Sequence, residues 1–478
     1  MKTYKTDWLI IGSGAGGGTI FHELAKARKN VLMIEEGISQ KDDFNQLSIS
    51  ERTAKFYRNG GVTPVIGNNI FPFSEGRIVG GTTELNGALF WRTPDWIREY
   101  WQEELGLSFI NTEQFEEVFE YLENLLCVRD SSSDEKYDLP SKKISAAAGQ
   151  LAWRTVRARR IAPRCIKLNQ CGSGCPNSSK NSIAQTLIPQ GISHGGNFLE
   201  DTKGLKLNTY RNKVISLSAE LQGERINIEA NNFVVSGGAI QTPLLLHRSG
   251  LIKGRSTQLG FHLNTKILVK FNEDINAEKA TIFTDQVQEF MRDGILIMST
   301  NYQPEYVGMF IANKGEHLME EVASNYSRYA LFTIQIHPEI YGKLTFFADS
   351  VHPTFHLEDV DFDKIKKGLQ KACQLLLKSG AKKIYLPQPG KVVEKDENVI
   401  EAIEELDASK IEISSVHAMS SIPIRTTPKQ NELNTEGKLN GYENLFIVDA
   451  SMLPTTIGES PQGTIMALAK TIFNNWEI

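Results

Sequence analysis

An α/β domain organised on a parallel sheet, joined to an α+β domain with an antiparallel sheet, is the fold this sequence predicts. Two observations carry it. The first is Asp7 to Gly37, DWLIIGSGAGGGTIFHELAKARKNVLMIEEG. Its apolar run Trp8, Leu9, Ile10 and Ile11 reads as a buried parallel strand. Gly12, Gly14 and Gly17 follow as G-x-G-x-x-G, then a helix over Thr19 to Lys29 with Ile20, Leu24 and Ala27 on one side. A second strand, Val31 to Ile34, ends in Glu35. The second observation is a change of texture from His262 to about Ile413. Strand-like runs recur there at Lys266–Phe271, Gly294–Met298, Tyr306–Ile311, Ala330–Ile336 and Lys343–Phe347, and helices follow at Asp363–Ser379 and Glu397–Leu406. Antiparallel strands with helices on one side make an α+β layer.

The glycines of the first unit have separate tasks. Gly12 permits the tight turn, Gly14 lets a pyrophosphate approach the backbone, and Gly17 lets the helix pack close to the strand. The helix N-terminus then faces the phosphates. Glu35 falls roughly 20 residues on, where a carboxylate accepts hydrogen bonds from an adenosine ribose. Strand, helix, second strand and terminal acid stand in register, so the unit reads as a Rossmann-like dinucleotide site.

Composition bounds the rest. The chain has 478 residues, more than one compact core holds, so two domains are expected. Hydrophobic content of 40% and charged content of 23% are those of a soluble globular protein. A net charge of -5 gives no reason to expect nucleic acid or an anionic membrane as partner. No stretch of about 18 apolar residues is present, so no membrane insertion is expected. The first strand starts by Asp7, which leaves no room for a leader and points to the cytoplasm. Five cysteines, an odd number in a long chain, argue against a disulfide framework.

Between the two textured regions the elements follow in order. Ser39 to Arg58 is polar, helical and connecting. Gly76 to Pro94, GRIVGGTTELNGALFWRTP, pairs two glycines with two threonines, poor helix material, and reads as a loop held against something that needs close backbone approach. Trp96 to Cys127 reads as an amphipathic, acid-rich, solvent-facing helix, and 131–141 as a loop. Cys165, Cys171 and Cys175-Pro176 come next, then a helix over Ile183 to Gln190. Leu205–Tyr210, Val214–Leu217 and Ile226–Ala230 read as a short meander. The strand Asn232–Ser236 ends in Gly237-Gly238, and a helix closes at Ser249-Gly250, so this segment is expected to rejoin the first sheet. Asn444 to Asp449 is a last strand and Gly463 to Trp476 a closing helix.

Four of these segments together resemble the glucose–methanol–choline (GMC) oxidoreductases. They are the glycine-rich start, the Gly76–Pro94 loop, GGAIQTPLLLHRSGL, and NLFIVDASMLPT with SPQGTIMALAK. The family's first signature is matched by Gly76, Arg77, Gly80, Gly81, Thr82, Thr83 and Asn86. Its second is matched by Gly238, Ala239, Thr242, Pro243, Leu245, Leu246, Ser249 and Gly250, with Ile252 replacing its final glycine. The resemblance implies FAD. It places Gly12, Gly14 and Gly17 at the pyrophosphate, Glu35 at the adenosine ribose and the backbone of Val214 at the adenine. Gly81, Thr82 and Asn86 would lie along the flavin, Asp449 and Ala450 by the ribityl chain, and Gln462, Gly463 and Thr464 by the isoalloxazine. The loop Gly80 to Asn86 holds no histidine, so the FAD is expected to be non-covalent. The implied division is an FAD-binding domain over 1–261 and 411–478, with a cysteine-containing insertion at about 128–190, and a substrate-binding domain over 262–410.

Oxidising an alcohol requires loss of the hydroxyl proton while hydride leaves the same carbon for flavin N5. A neutral imidazole suits the base role near pH 7. His417, in SSVHAMSSIPI, stands where the family keeps its active-site histidine. The family's partner, a His or Asn before a proline, is here Ser460, which hydrogen-bonds but cannot serve as a base. His337, His352 and His356 are candidates to reach in, each more readily read as structural. Glu459 reads as a solvated surface acid.

The spacing C-x5-C-x3-C-P of Cys165, Cys171 and Cys175 admits two readings. Three thiolates can hold a 3Fe-4S cluster, as a similar spacing does in sugar and polyol dehydrogenases of the family, wired to a cytochrome subunit. Long-chain alcohol oxidases show a related segment, ending in a lysine and serine like Cys175 to Ser182, with no metal. Cys127 and Cys373 read as buried helix residues. The expected function is FAD-dependent oxidation of an alcohol, sugar or polyol, with oxygen, a quinone or a cytochrome subunit as acceptor. The alternatives are a non-redox lyase of the same family and a non-catalytic flavoprotein subunit.

Overall fold

The computed structural model describes residues 2–40, 44–131, 138–394 and 397–477. Its first sheet has seven strands, in the order Asn197–Leu199, Val31–Ile34, Lys2–Ile11, Glu224–Val235, Lys213–Leu221 and Thr202–Tyr210, with Leu445–Ile447 also on Glu224–Val235. The first four of these run parallel, as does Leu445–Ile447. The opening strand starts at Lys2 rather than Trp8, and the expected strands Ile226–Ala230 and Asn232–Ser236 are one. Both follow from a single ladder, in register from Lys2↔Ile226 to Ile11↔Val235. The late strand Leu445–Ile447 returns the chain's end to the same sheet, beside Phe233–Val235.

A second seven-stranded sheet is antiparallel, in the order Val392–Glu394, Lys383–Tyr385, Leu263–Lys270, Tyr329–Ile336, Ile295–Ser299, Asp285–Val287 and Thr155–Arg157. Its edge strand Thr155–Arg157 comes from the cysteine-containing segment. Lys343–Phe347, expected among these strands, instead lies in a four-stranded sheet with Ser256–Phe261, Ser350–Thr354 and Ala418–Met419.

The period-2 alternation of the large antiparallel sheet decides where the cavity lies. The long helix Asp359–Lys378 covers one face. Gly368 is the point of contact, where a Cβ would stand 2.8 Å from Ile334 Cγ2 and 3.3 Å from Ile295 and Ile336. The opposite face therefore carries the pairs Asn264↔Gln335, Lys266↔Thr333 and Leu268↔Leu331, with Met298 beside Thr333.

Five local expectations change. Tyr306–Ile311 is part of a helix, Pro304–Ile311, with Pro304 in the first turn and Val307 and Ile311 buried at an i, i+4 spacing. Within 39–58 the described residues hold one α-helix, Ile49–Phe56, started by a capping box between Ser48 and Glu51, and a 3-10 turn at Phe44–Gln46. Trp96–Cys127 breaks into Asp95–Glu103 and Glu113–Leu125, and neither faces only solvent. Trp101, Phe115, Phe119 and Leu122 are fully buried, while the acids Glu116 and Glu123 bind Arg92. The helix expected at Ile183–Gln190 is Leu187–Ser193. Cys127 lies beyond its helix at φ 51°, half-buried, whereas Cys373 is buried within one. Of the expected loop at 131–141, residues 132–137 lie outside the described residues. Among the described residues no helix is long and apolar enough to cross a membrane.

Candidate active site

One cavity of about 690 Å³ runs from the glycine-rich turn to the open face of the antiparallel sheet. Its first end is the turn itself. Gly12 sits at φ +103°, and a Cβ there would stand 2.3 Å from the Ser236 carbonyl oxygen, so only glycine fits. A Cβ on Gly17 would strike the Gly12 carbonyl at 2.1 Å. Gly14 differs: a Cβ there meets nothing within 4 Å, because that side is cavity. Gly14 also caps the helix Ala15–Lys26 without a side chain, leaving the first-turn N–H groups to an anion. Glu35 is held in place by Ser13 N–H at 2.9 Å, Ser13 Oγ at 2.8 Å and Gly37 N–H at 2.8 Å, and lines the cavity.

The middle of the cavity is the loop around Gly81. Gly81, Thr82 and Asn86 line it together with Asp449, Ala450 and Gln462. Asn86 Nδ2 donates to Gln462 Oε1 at 2.6 Å, which joins this loop to the start of the helix Gln462–Asn474. Gln462 Nε2 is buried without a partner, an orphaned donor on the cavity wall. Asp449 accepts from Gly238 N–H at 2.8 Å, Thr242 Oγ1 at 2.5 Å and Ser451 N–H at 2.8 Å, and its burial raises its carboxyl. Gly463 packs against Trp91, where a Cβ would stand 2.1 Å from the carbonyl oxygen, and Thr464 Oγ1 meets Thr93 Oγ1 at 3.0 Å. Those two side positions face the core, so what they offer the cavity is backbone at a helix N-terminus.

Val214 is not at the cavity. Its N–H and C=O are both taken by the Asn444 side chain, at 2.9 and 2.8 Å, and Thr202, Lys203 and Gly204 line the Glu35 end instead. The open side of Gly14, the uncapped helix, the orphaned Gln462 amide and the Glu35 acceptor fit a dinucleotide cofactor.

The far end holds the chemistry. His417 and Ser460 both line it. His417 Nδ1 lies 3.1 Å from Nδ1 of His262, a residue that spacing did not single out. His262 Nε2 in turn accepts from Gly458 N–H at 3.0 Å. Burial holds His417 down to about 4 and His262 well below its ordinary value, so both rings are neutral at pH 7. A backbone N–H only donates, so His262 carries its single proton on Nδ1. His417 Nδ1 must accept that proton, which leaves the proton of His417 on Nε2, the edge turned away from His262. The base role expected of His417 needs a bare Nε2. The resting pair presents an N–H donor instead.

The other candidates sort cleanly. His337 is half-buried behind the pair, its ring 5.9 Å from His262 and its Nε2 2.5 Å from Thr456 Oγ1, and desolvation lowers it to about 4. His352 and His356 are exposed and outside the cavity. Glu459, expected at the surface, is buried. The segment 456–460 threads the core, where Gln335 Nε2 donates to Gly458 O at 3.1 Å. With Ser460 N–H at 2.8 Å as its closest donor, desolvation pushes the Glu459 carboxyl up to about 8.

The cluster expected on Cys165, Cys171 and Cys175 is not supported. Among the described residues no group of three or more His, Cys, Asp or Glu is placed to hold a metal ion. The Arg160 guanidinium reaches Cys165 Sγ at 3.9 Å and Cys171 Sγ at 3.6 Å, putting a cation where a cluster would need room. The segment serves another purpose. Buried Lys180 donates to the carbonyls of Glu84, Asn86 and Cys171, and Ser182 Oγ donates to Glu84, so the segment clamps the loop that lines the middle of the cavity.

Comparison with known proteins agrees with this arrangement. The family models for the GMC oxidoreductase N-terminal and C-terminal regions match residues 53–267 and 347–469. The chain is 28% identical to the uncharacterized GMC-type oxidoreductase y4nJ of Sinorhizobium fredii, over 97% of this chain and 93% of that one. It is 23% identical to the long-chain-alcohol oxidase FAO3 of Arabidopsis thaliana, over 98% of this chain and 67% of that protein. Among solved structures, pyridoxine 4-oxidase from Mesorbium loti superposes with a TM-score of 0.75 at 15% identity, covering 98% of this chain and 99% of that chain. Formate oxidase from Aspergillus oryzae gives 0.77 at 12% identity, covering 99% and 98%.

Proposed function

The chain belongs to the GMC oxidoreductase family, and from that premise we propose that it is an FAD-dependent enzyme oxidising the CH–OH group of an alcohol. The observation that carries the proposal is that the glycine-rich cradle, Gln462, His417 and Ser460 line one continuous cavity. Bound non-covalently, FAD would supply the hydride acceptor, its N5. We assign 1–261 and 411–478 to holding it, with the segment 128–190 as an insertion, and 262–410 to the substrate.

The chain's own residues deal with the hydroxyl. His417 donates its Nε2–H to the substrate oxygen and stabilises the negative charge that develops there as the hydroxyl proton leaves, ahead of hydride. Ser460 Oγ, a polar group on the same wall, relays the hydroxyl proton to solvent water, since a serine cannot keep it. The neutrality of His417 at working pH also favours a second reading, in which it is the base. That requires His262 to move its proton to Nε2 and release the Gly458 N–H. Dioxygen is the acceptor we favour, on the ground that the Arabidopsis relative and both structural neighbours are named oxidases.

Replacing His417 separates the two roles. Asparagine keeps an N–H donor and has no basic nitrogen, whereas alanine has neither. Anaerobic flavin bleaching by an alcohol is expected to slow by about 10²–10³ in His417→Ala, the scale of one lost oxyanion donor, and by about tenfold or less in His417→Asn. Equal losses of about 10²–10⁴ in both variants would establish the base. A flavin that no alcohol bleaches would return weight to the lyase or non-catalytic alternative.

A further inference from the structure

The open face of the antiparallel sheet holds a charge that the oxidation does not use. Along Leu263–Lys270, Asn264 and Lys266 follow His262 on one side of the strand, and both line the cavity. Lys266 Nζ donates to Ser414 Oγ at 3.0 Å, its one hydrogen bond among the described residues. The nearby carboxylate, Glu412, is engaged elsewhere, in an ion pair with Lys314 at 2.8 Å. Two ammonium groups therefore share one carboxylate, and the surplus positive charge lies on the cavity wall. A partly buried ammonium with a single neutral partner is costly unless a ligand completes it. Beyond its polar neighbours Ser414 and Thr333 the wall carries the largely apolar side chains Met298, Leu331, Phe283, Tyr302 and Phe310.

We propose that the substrate is an amphipathic hydroxy acid, its hydroxyl at His417 and Ser460 and its carboxylate on Lys266. The proposal rests on the alcohol-oxidising reading and names its substrate class. Lys266 stands four residues beyond His262, which directly precedes the strand Leu263–Lys270, roughly 13 Å between extended backbone positions. Anion and hydroxyl therefore belong at opposite ends of an extended molecule, with apolar atoms between them. One ammonium and one hydroxyl suit a monoanion. A phosphate dianion is better matched by a guanidinium fork or a helix N-terminus, and among the described residues no arginine hydrogen-bonds beside Lys266. Burial lowers the Lys266 ammonium to about 8, so it is charged at neutral pH and releases its proton readily when no anion is bound.

The test uses the FAD-loaded full chain and the probes decanoate and methyl decanoate, which share a chain and differ in charge. Neither has a hydroxyl, so binding is read without turnover, by calorimetry or by the flavin difference spectrum. The native protein is expected to bind decanoate at least about tenfold more tightly than the ester at pH 7, the scale of one charge-assisted hydrogen bond. Lys266→Met, of similar volume, is expected to bring that ratio to about one, and Lys266→Arg to retain a preference. In the native protein the preference should fade as the pH is raised past ~8. Equal affinity for the two probes in the native protein, or a preference that persists in Lys266→Met, would overturn the proposal. Failure of the underlying reading looks different: decanoate would still bind through Lys266, but neither decanol nor ω-hydroxydecanoate would bleach the flavin.

Discussion

The Gly458 N–H decides more about this site than its position in a loop suggests, because it fixes the proton on His262 and through it the proton on His417. His262 is a positioning residue in this account. His262→Phe keeps the ring volume and loses both hydrogen bonds, and kcat is expected to fall about tenfold or more. His262→Asn, which can accept from Gly458 with its carbonyl and donate to His417 with its amide, should restore most of the rate. Equal losses in the two variants would mean that His262 only fills space. None of this was legible in one dimension. His417 lies within a recognisable motif, whereas His262 is 155 residues away and meets it only because Ser256–Phe261 pairs with Ala418–Met419. Glu459 was misread for a similar reason: an acid beside Gly458 and Ser460 looks solvated until the segment is seen to thread the core.

Among the elements, those built on a strict local pattern were the most readable. The strand, glycine turn, helix and strand at the start follow in the order that spacing predicts, with the strand opening at Lys2 and the helix spanning Ala15–Lys26 rather than Thr19–Lys29, because each glycine answers a contact with backbone or with cavity. Tyr306–Ile311, within the helix Pro304–Ile311, reads as a strand in sequence because a short apolar run carries little periodicity. The proline start and the burial of Val307 and Ile311 mark it as helix. The cysteine segment shows a different limit. Its spacing suggested a metal site, yet Lys180 shows it to be a clamp on three carbonyls, and no one-dimensional pattern reveals what a buried ammonium binds. Lys180→Met should therefore weaken FAD binding by about tenfold or more, measured as Kd for FAD, and leave the far-UV circular dichroism unchanged. Native FAD affinity in that variant would remove the clamp from the account.

Across the whole molecule, buried groups with displaced pKa values narrow the stable pH range from both sides. Glu459 binds its proton more tightly folded than unfolded, so its contribution is complete below about 4.5 and is lost as pH rises through about 8. His262, His337 and His417 are held neutral in the fold, so stability also falls as pH drops from about 6.5 towards about 4. Glu459→Gln is expected to match the native Tm near pH ~5 and to exceed it near pH ~8.5. A native and a variant Tm that track each other across that range would place Glu459 in water. These groups lie where two sheets meet over one cavity, the cradle on the parallel sheet and the substrate wall on the antiparallel one, and the account's central claim is that hydride crosses that cavity from an alcohol carbon. Its most direct measurement is the rate of anaerobic flavin bleaching by an alcohol and by the same alcohol deuterated at the hydroxyl-bearing carbon. The account predicts bleaching with both, severalfold slower with deuterium. Bleaching at the same rate whichever isotope is carried, with substrate saturating and mixing fast, or no bleaching by any alcohol, would contradict it.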